Sequence, residues 1–306
     1  MIRFLIAASM LPLAACAAAT APAPASAPPS TAAPRPAFAS ERIGVTVRGE
    51  GPDVVLIPGL SSSPEVWDST IAALPGYRYH VVQVAGFAGR APGANASGPV
   101  VAPVAEEIAR YIAEAGLGRP AIVGHSLGGT WAMMVAARHP DRVGRVMVVD
   151  MFPFMGAMFG GPNATADTLR PVADQIRSMI AGGSAEQRRT RTEQTIAGMV
   201  RTEAMRPQAI AHSMASDAAV SSQAMHDLIL ADLRPELASV RVPMTVLWVR
   251  PQGAPVSEAQ MSEFYRLSYA GVPQARLVHV PDSYHFIMWD APEAFQRELR
   301  AFLEAR

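Results

Sequence analysis

Short apolar runs alternate with amphipathic stripes along most of this chain, and that alternation predicts its architecture. Ile43 to Val47 and Val54 to Ile57 are β-branched runs separated by the turn residues Gly49 to Asp53, which predicts two strands. Pro64 to Leu74 reads as a helix and Tyr79 to Val84 as a strand. From Val101 onward, Val104, Ala105, Ile108, Tyr111, Ile112 and Ala115 recur at helical spacing, with Glu106, Glu107, Arg110 and Glu114 on the opposite face. Gly116 and Gly118 end that helix. Ala121 to Val123 then predicts a buried strand, Leu127 to Arg138 a helix and Val143 to Val149 another strand. This order implies an α/β fold, a mostly parallel central sheet flanked by helices.

The alternation stops at Met151. Up to Val240 the pattern is helical and offers no strand. It resumes with a strand over Met244 to Val249, a helix around Glu258 to Tyr269, a strand over Arg276 to Val280 and a last helix. In that last helix Phe295, Leu299, Phe302 and Leu303 share one face. A helical lid of about residues 151–240, inserted after the strand that ends at Asp150, is therefore expected over the carboxyl edge of the sheet, where such folds place their sites. Many of the chain's 16 Met residues lie between Met151 and Met225, soft side chains suited to an adaptable apolar surface.

The amino terminus follows another pattern. Arg3 is followed by the apolar stretch Phe4 to Leu13 and then by small residues, which predicts a secretory signal over residues 1–15. Leu13-Ala14-Ala15-Cys16 is similar to a bacterial lipobox, in which Cys16 is lipidated; Ala15-Cys16-Ala17 also suits an ordinary signal cleaved nearby. Residues 16–39 are mostly Ala, Pro, Ser and Thr, a composition that reads as a semi-extended tether, and the folded domain is expected over 40–306. The protein is thus expected to be exported, either as a lipoprotein of the outer membrane or facing the periplasm, or as a soluble periplasmic or secreted protein.

Composition narrows the partners. The formal net charge is +0, so nothing draws the chain to nucleic acid. Past the first residues no apolar run is long enough to span a bilayer, so membrane contact is expected only through Cys16. Cys16 is also the single cysteine of the sequence, which excludes an internal disulfide. No Cys, His and carboxylate cluster has zinc spacing and no phosphate-binding or dinucleotide fingerprint is present, so neither metal nor organic cofactor is expected. The oligomeric state is not legible.

Gly124-His125-Ser126-Leu127-Gly128 matches G-x-S-x-G, with a predicted strand before it and a predicted helix after it. A sharp strand-to-helix turn crowds the backbone, and glycine relieves that crowding around a strained serine. The helix that begins at Leu127 turns its amino end toward the serine, where its dipole favours developing negative charge.

On these residues the chain, from about Ile43 to Phe302, resembles the α/β-hydrolase family in its serine hydrolase branch. Ile57-Pro58-Gly59-Leu60 is similar to the family's oxyanion loop, with Pro58 where His is usual. Asp282-Ser283-Tyr284-His285-Phe286 resembles the segment that carries the catalytic histidine. The resemblance implies Ser126 as nucleophile, His285 as base, and the N–H groups of Leu60 and Leu127 as oxyanion donors. It also implies an aromatic beside the pocket at Trp67, with Phe152 and Phe154 as further pocket residues. The family usually puts its acid after the strand that follows the lid, but Val249 to Pro255 contains no carboxylate. Some members carry the acid one strand earlier, which points to Asp150; Glu258 is the alternative.

The implied activity is hydrolysis of a small or medium carboxylic ester, a small-molecule acyl substrate, through an acyl-enzyme. A proline-iminopeptidase-like peptidase or a perhydrolase fits the same residues. A catalytically inactive, lipid-tethered binding protein is the reading from another class, motivated by the missing carboxylate. The lipobox makes a separate prediction. Several hydrocarbon chains, at ~0.8 kcal/mol per buried CH₂, anchor stably where one does so marginally. The full-length protein should therefore fractionate with membranes and release only with detergent, and Cys16→Ser should become soluble or stay uncleaved. Mass spectrometry of the mature amino terminus checks this; an unmodified end beyond Cys16 would replace the anchor with simple export.

Overall fold

The computed structural model describes residues 38–250, 253 and 255–305; the signal, Cys16 and nearly all of the tether lie outside them. Seven strands form one sheet: β1 (Ile43–Arg48), β2 (Asp53–Ile57), β3 (Arg78–Val84), β4 (Ala121–His125), β5 (Arg145–Val149), β6 (Met244–Trp248) and β7 (Arg276–His279). Their order is β1-β3-β2-β4-β5-β6-β7. Only the β1–β3 pair is antiparallel; every other pairing is parallel. Parallel strands are covered on both faces, which is why β4, β5 and β6 read as continuous apolar runs rather than alternating ones.

Helices cover those faces. One layer comprises α2 (Val101–Glu114), α3 (Leu127–Arg138) and α9 (Glu258–Ser268), packed with the sheet around Ile122, Val146, Val246, Trp131 and Tyr265. The other comprises α1 (Asp68–Ala73), α10 (Ile287–Asp290) and α11 (Pro292–Glu304), around Leu56, Val81, Val123, Leu247, Phe295 and Leu299. The amphipathic positions read for α2 and α11 are the ones that pack inward. The expected helix from Pro64 begins as a single 3₁₀ turn, Pro64–Trp67, capped by the Ser63 side chain, before α1 continues it.

Between β5 and β6 lie α4 (Ala157–Gly160), α5 (Ala166–Ala181), α6 (Ala185–Met199), α7 (Arg206–Ala215) and α8 (Ala218–Leu230), with no strand among the described residues. Leu169, Ala173, Phe154 and Ile229 give this insertion a small core of its own.

The chain runs from β2 to β3 on one side and then returns to place β4 on the other side of β2. The carboxyl ends of β2 and β4 therefore flank the point where strand order reverses, the place at which open α/β sheets bind ligands. The loop after β2 and the turn after β4 both open there.

At the opposite edge, buried His80 bridges the sheet to α2. Its Nε2–H donates to Asp53 (2.9 Å) and its Nδ1 accepts from the Tyr111 hydroxyl (2.5 Å). Asp53 also accepts from Arg78 Nε at 2.6 Å. Burial holds the His80 imidazole below its ordinary value of 6.5, opposed in part by Asp53. Below about pH 6.5 the unfolded chain therefore binds a proton that the folded one refuses. Stability should fall with pH there, by up to ~1.4 kcal/mol per unit from this group, until the folded imidazole titrates. Urea unfolding at pH 7.5 and 5.5 checks this: His80→Gln should narrow the gap between the two, and an unchanged gap would contradict it.

Candidate active site

Ser126 sits on the turn between β4 and α3 with φ 54° and ψ −124°, a left-handed conformation that costs a non-glycine residue of order 1–3 kcal/mol and persists only where its surroundings enforce it. Here they do. Ser126 N–H donates to Val149 O at 2.9 Å, and its carbonyl accepts from the Gly129 N–H at 2.7 Å. Gly124 and Gly128 are required by close approach: a β-carbon on Gly124 would run into the Gly128 carbonyl, and one on Gly128 into the Ile57 carbonyl.

The loop after β2 lies against this turn. A β-carbon on Gly59 would come within 3.0 Å of Ser126 Cβ. Among the described residues the N–H groups of Leu60 and Leu127 donate to no protein acceptor. Two free donors thus flank the serine, one on the β2 loop and one at the first position of α3, where the helix dipole adds positive potential. Ser61, with φ 55°, turns the loop back toward the insertion, and its hydroxyl pairs with Ser221 of α8 at 2.8 Å.

His285 lies in the loop between β7 and α10, and its Nδ1 is 2.7 Å from Asp150 Oδ2. A carboxylate only accepts, so Nδ1 carries the proton and Nε2 keeps its lone pair. The structure brings Asp150, and not Glu258, to this histidine. Glu258 is exposed at the start of α9 and pairs with His279 at 3.0 Å. Asp150 closes β5 with φ 53°, and its other oxygen accepts from Tyr265 Oη at 2.9 Å and Val249 N–H at 3.2 Å. Three donors from three segments meet one nearly buried carboxylate, which is what keeps such a charge tolerable. Burial and then Asp150 hold the Tyr265 phenol well above its ordinary range, so it stays a donor. Among the described residues Ser126 Oγ makes no hydrogen bond, a looseness common before a substrate arrives.

Phe152 is half-buried and packs on Tyr265 and Phe264, ring centroids 4.6 and 4.9 Å apart. Trp67 does not border an open pocket: it has no accessible surface and packs on Phe295 at 6.1 Å. Phe154 also differs from expectation, being 1% exposed beneath the Arg234 guanidinium, 4.5 Å from its ring centre. Both aromatics serve packing because neighbouring side chains close over them.

The insertion grips both loops of the site. His212 of α7 pairs with Glu65 at 3.0 Å, and Ser216 Oγ lies 3.4 Å from Ser61 O. On the other side Phe286 N–H donates to Met199 O at 3.2 Å. Asp290 accepts from the N–H groups of Arg201, Thr202 and Tyr284 at 3.0, 2.8 and 3.0 Å. Two contributors escaped the sequence pattern, Tyr265 and His125. Tyr265 falls inside the helix expected around Glu258 to Tyr269, with no motif to single it out. His125, the neighbour of Ser126, donates through Nε2–H to the His285 carbonyl at 3.0 Å. No group of three or more His, Cys, Asp or Glu is placed to hold a metal ion among the described residues.

The profile of the alpha/beta hydrolase family matches residues 54–298. A pimeloyl-[acyl-carrier protein] methyl ester esterase of Edwardsiella ictaluri is 29% identical over 255 residues, covering 83% of this chain and 94% of that protein. An N-formylmaleamate deformylase of Pseudomonas putida is 27% identical over 265 residues, covering 84% and 90%. Among solved structures, the enol-lactonase of Burkholderia xenovorans LB400 superposes with a TM-score of 0.68 at 19% identity, covering 85% of this chain and 96% of that one, a likeness of fold.

If Asp150 draws on Tyr265, then Tyr265→Phe should destabilise the protein by about 1–3 kcal/mol, since a buried acceptor loses a donor. Glu258→Gln, which touches an exposed pair, should cost less than about 0.5 kcal/mol. Urea unfolding of both variants measures the contrast, and equal costs would remove Tyr265 from the support of Asp150.

Proposed function

The chain belongs to the alpha/beta hydrolase family, and we propose that it is a serine hydrolase that cleaves small or medium carboxylic esters through an acyl-enzyme. The observation that carries this reading is the 2.7 Å contact between His285 Nδ1 and Asp150, at the same sheet edge as the strained Ser126 turn. The names of the similar proteins support an acyl substrate, since they include a methyl ester esterase and a deformylase.

A serine hydroxyl is too weak a nucleophile until a base takes its proton during attack. Ser126 Oγ attacks the ester carbonyl while His285 Nε2 receives the hydroxyl proton, and Asp150 stabilises the imidazolium through Nδ1–H. The oxyanion of the tetrahedral intermediate is met by the Leu60 and Leu127 N–H groups, donors of the kind that each lower such a barrier by about 3–4 kcal/mol. His285 then returns the proton to the leaving alkoxide, releasing the alcohol and leaving Ser126 acylated. Water attacks the acyl group with His285 again as base, and the acid departs as Ser126 recovers its proton. Phe152 and the insertion supply apolar surface for the acyl portion. In the exported protein Cys16 would carry the anchor, outside the described residues, and the domain itself would need no membrane.

A fluorophosphonate probe tests the reading. Wild-type protein should be labelled and Ser126→Ala should not; equal labelling of the two, or none of the folded wild type, would remove the nucleophile assignment. Asp150→Asn keeps shape but misorients the histidine, and turnover of a p-nitrophenyl acyl ester should fall by up to ~10⁴-fold on serine-protease precedent. Glu258→Gln should leave it within about twofold.

A further inference from the structure

We propose that His125 is a positioning residue that holds His285 over Ser126; the inference rests on the serine hydrolase reading above. His125 closes β4, and its side chain is 1% exposed. The Nε2–H donates to the His285 carbonyl at 3.0 Å, across 160 residues of sequence. Its ring lies 4.6 Å from the His285 ring and 4.7 Å from the Phe286 ring, centroid to centroid. Asp150 meets the His285 side chain, and the other ties on the loop's backbone grip flanking residues: Asp290 takes the Tyr284 N–H, Met199 O takes the Phe286 N–H and Arg201 donates to the Asp282 carbonyl. The carbonyl of His285 itself is held by His125.

The direction of that hydrogen bond sets the tautomer. A carbonyl only accepts, so His125 is protonated at Nε2 and bare at Nδ1. That Nδ1 is buried with no partner among the described residues, beside Gly59, where an added β-carbon would stand 3.1 Å from it. An unmatched buried acceptor costs stability, and an apolar ring of similar size would fill the space without it. A side chain that carries such a cost next to the reacting groups is where function is expected to outweigh stability. Burial, reinforced by His285, holds His125 well below its ordinary 6.5. It therefore stays neutral while its neighbour His285 gains and loses a proton.

The consequence is geometric. β4 carries Ser126 on its following residue and His285 through the His125 side chain, so nucleophile and base are referred to one strand end. Without that link the imidazole's place would depend on its Nδ1 contact with Asp150 alone, while its backbone would rest on the irregular segment 281–286 and its flanking ties. Displacement by about 1 Å at such a site lowers rates by roughly 10²-fold.

The experiment compares His125→Phe, which keeps a ring but has no donor, with His125→Gln, whose amide can reach the same carbonyl. Wild-type labelling by the fluorophosphonate is read first; its absence sinks the serine hydrolase reading, and this inference with it. Given labelling, His125→Phe should keep its Tm within a few degrees, lose roughly 10- to 100-fold in kcat and labelling rate, and hold KM within about twofold. His125→Gln should recover to within about threefold of wild type. A Phe variant with wild-type kcat would overturn the inference while leaving the hydrolase standing. So would Phe and Gln variants equally slow and equally destabilised, which would make His125 ordinary packing. Should the Phe variant not fold, His125→Asn, too short to reach the carbonyl, takes its place: it should be slow beside Gln, and equal rates would overturn the inference.

Discussion

A carboxylate held out of water at the end of a strand must be matched by donors, and in this protein the matching organises the carboxyl half of the sheet. Asp150 takes hydrogen bonds from the loop after β7 through His285, from α9 through Tyr265, and from the end of β6 through Val249 N–H. Each lies at a different distance along the chain, so the three can be satisfied together only when β5, β6 and β7 stand side by side with α9 behind them. Removing one partner would leave a charge with too few donors, a larger penalty than the bond itself is worth. The same contact puts a proton on His285 Nδ1 and leaves Nε2 free, as the proposed role of a base requires. In the proposed mechanism structural demand and chemical demand thus fall on one group.

The second constraint is strain at Ser126. Its left-handed backbone is enforced by β5, through Val149 O, and by glycines that let α3 close on β2. Around this rigid centre the insertion joins the sheet in securing the loops: its α7 and α8 hold the β2 loop, and its α6 and following turn hold the His285 loop, which His125 and Asp150 hold from the strand ends. Sites of this kind depend on loops that a scaffold positions. Here the insertion is part of that scaffold.

Much of this was legible beforehand, for physical reasons that also explain the omissions. β4, β5 and β6 announce themselves because burial on both faces leaves them mostly apolar, and the Ser126 turn because only glycine tolerates the approach of α3 to β2. The pairing of Asp150 with His285 was reached through the family resemblance, once the loop after β6 offered no carboxylate. Trp67 and Phe154 were not legible as packing residues, since a sequence shows an aromatic ring but not what closes over it. Tyr265 and His125 were hidden by distance along the chain, with partners 115 and 160 residues away. The pattern marks a helix around Glu258 to Tyr269 but says nothing of where one of its hydroxyls ends.

The grip of the insertion on both loops bears on how such proteins diversify. If the helices between β5 and β6 were a detachable cover, recombination could exchange them freely, and a chimera would acquire a new acyl preference with its catalytic centre untouched. The contacts of Ser61 with Ser221, Glu65 with His212 and Asp290 with Arg201 and Thr202 make that exchange conditional. A transplanted segment must bring matching donors and acceptors for two loops it does not encode. A graft that respects the helix boundaries but ignores those pairings would leave both loops without the partners that hold them.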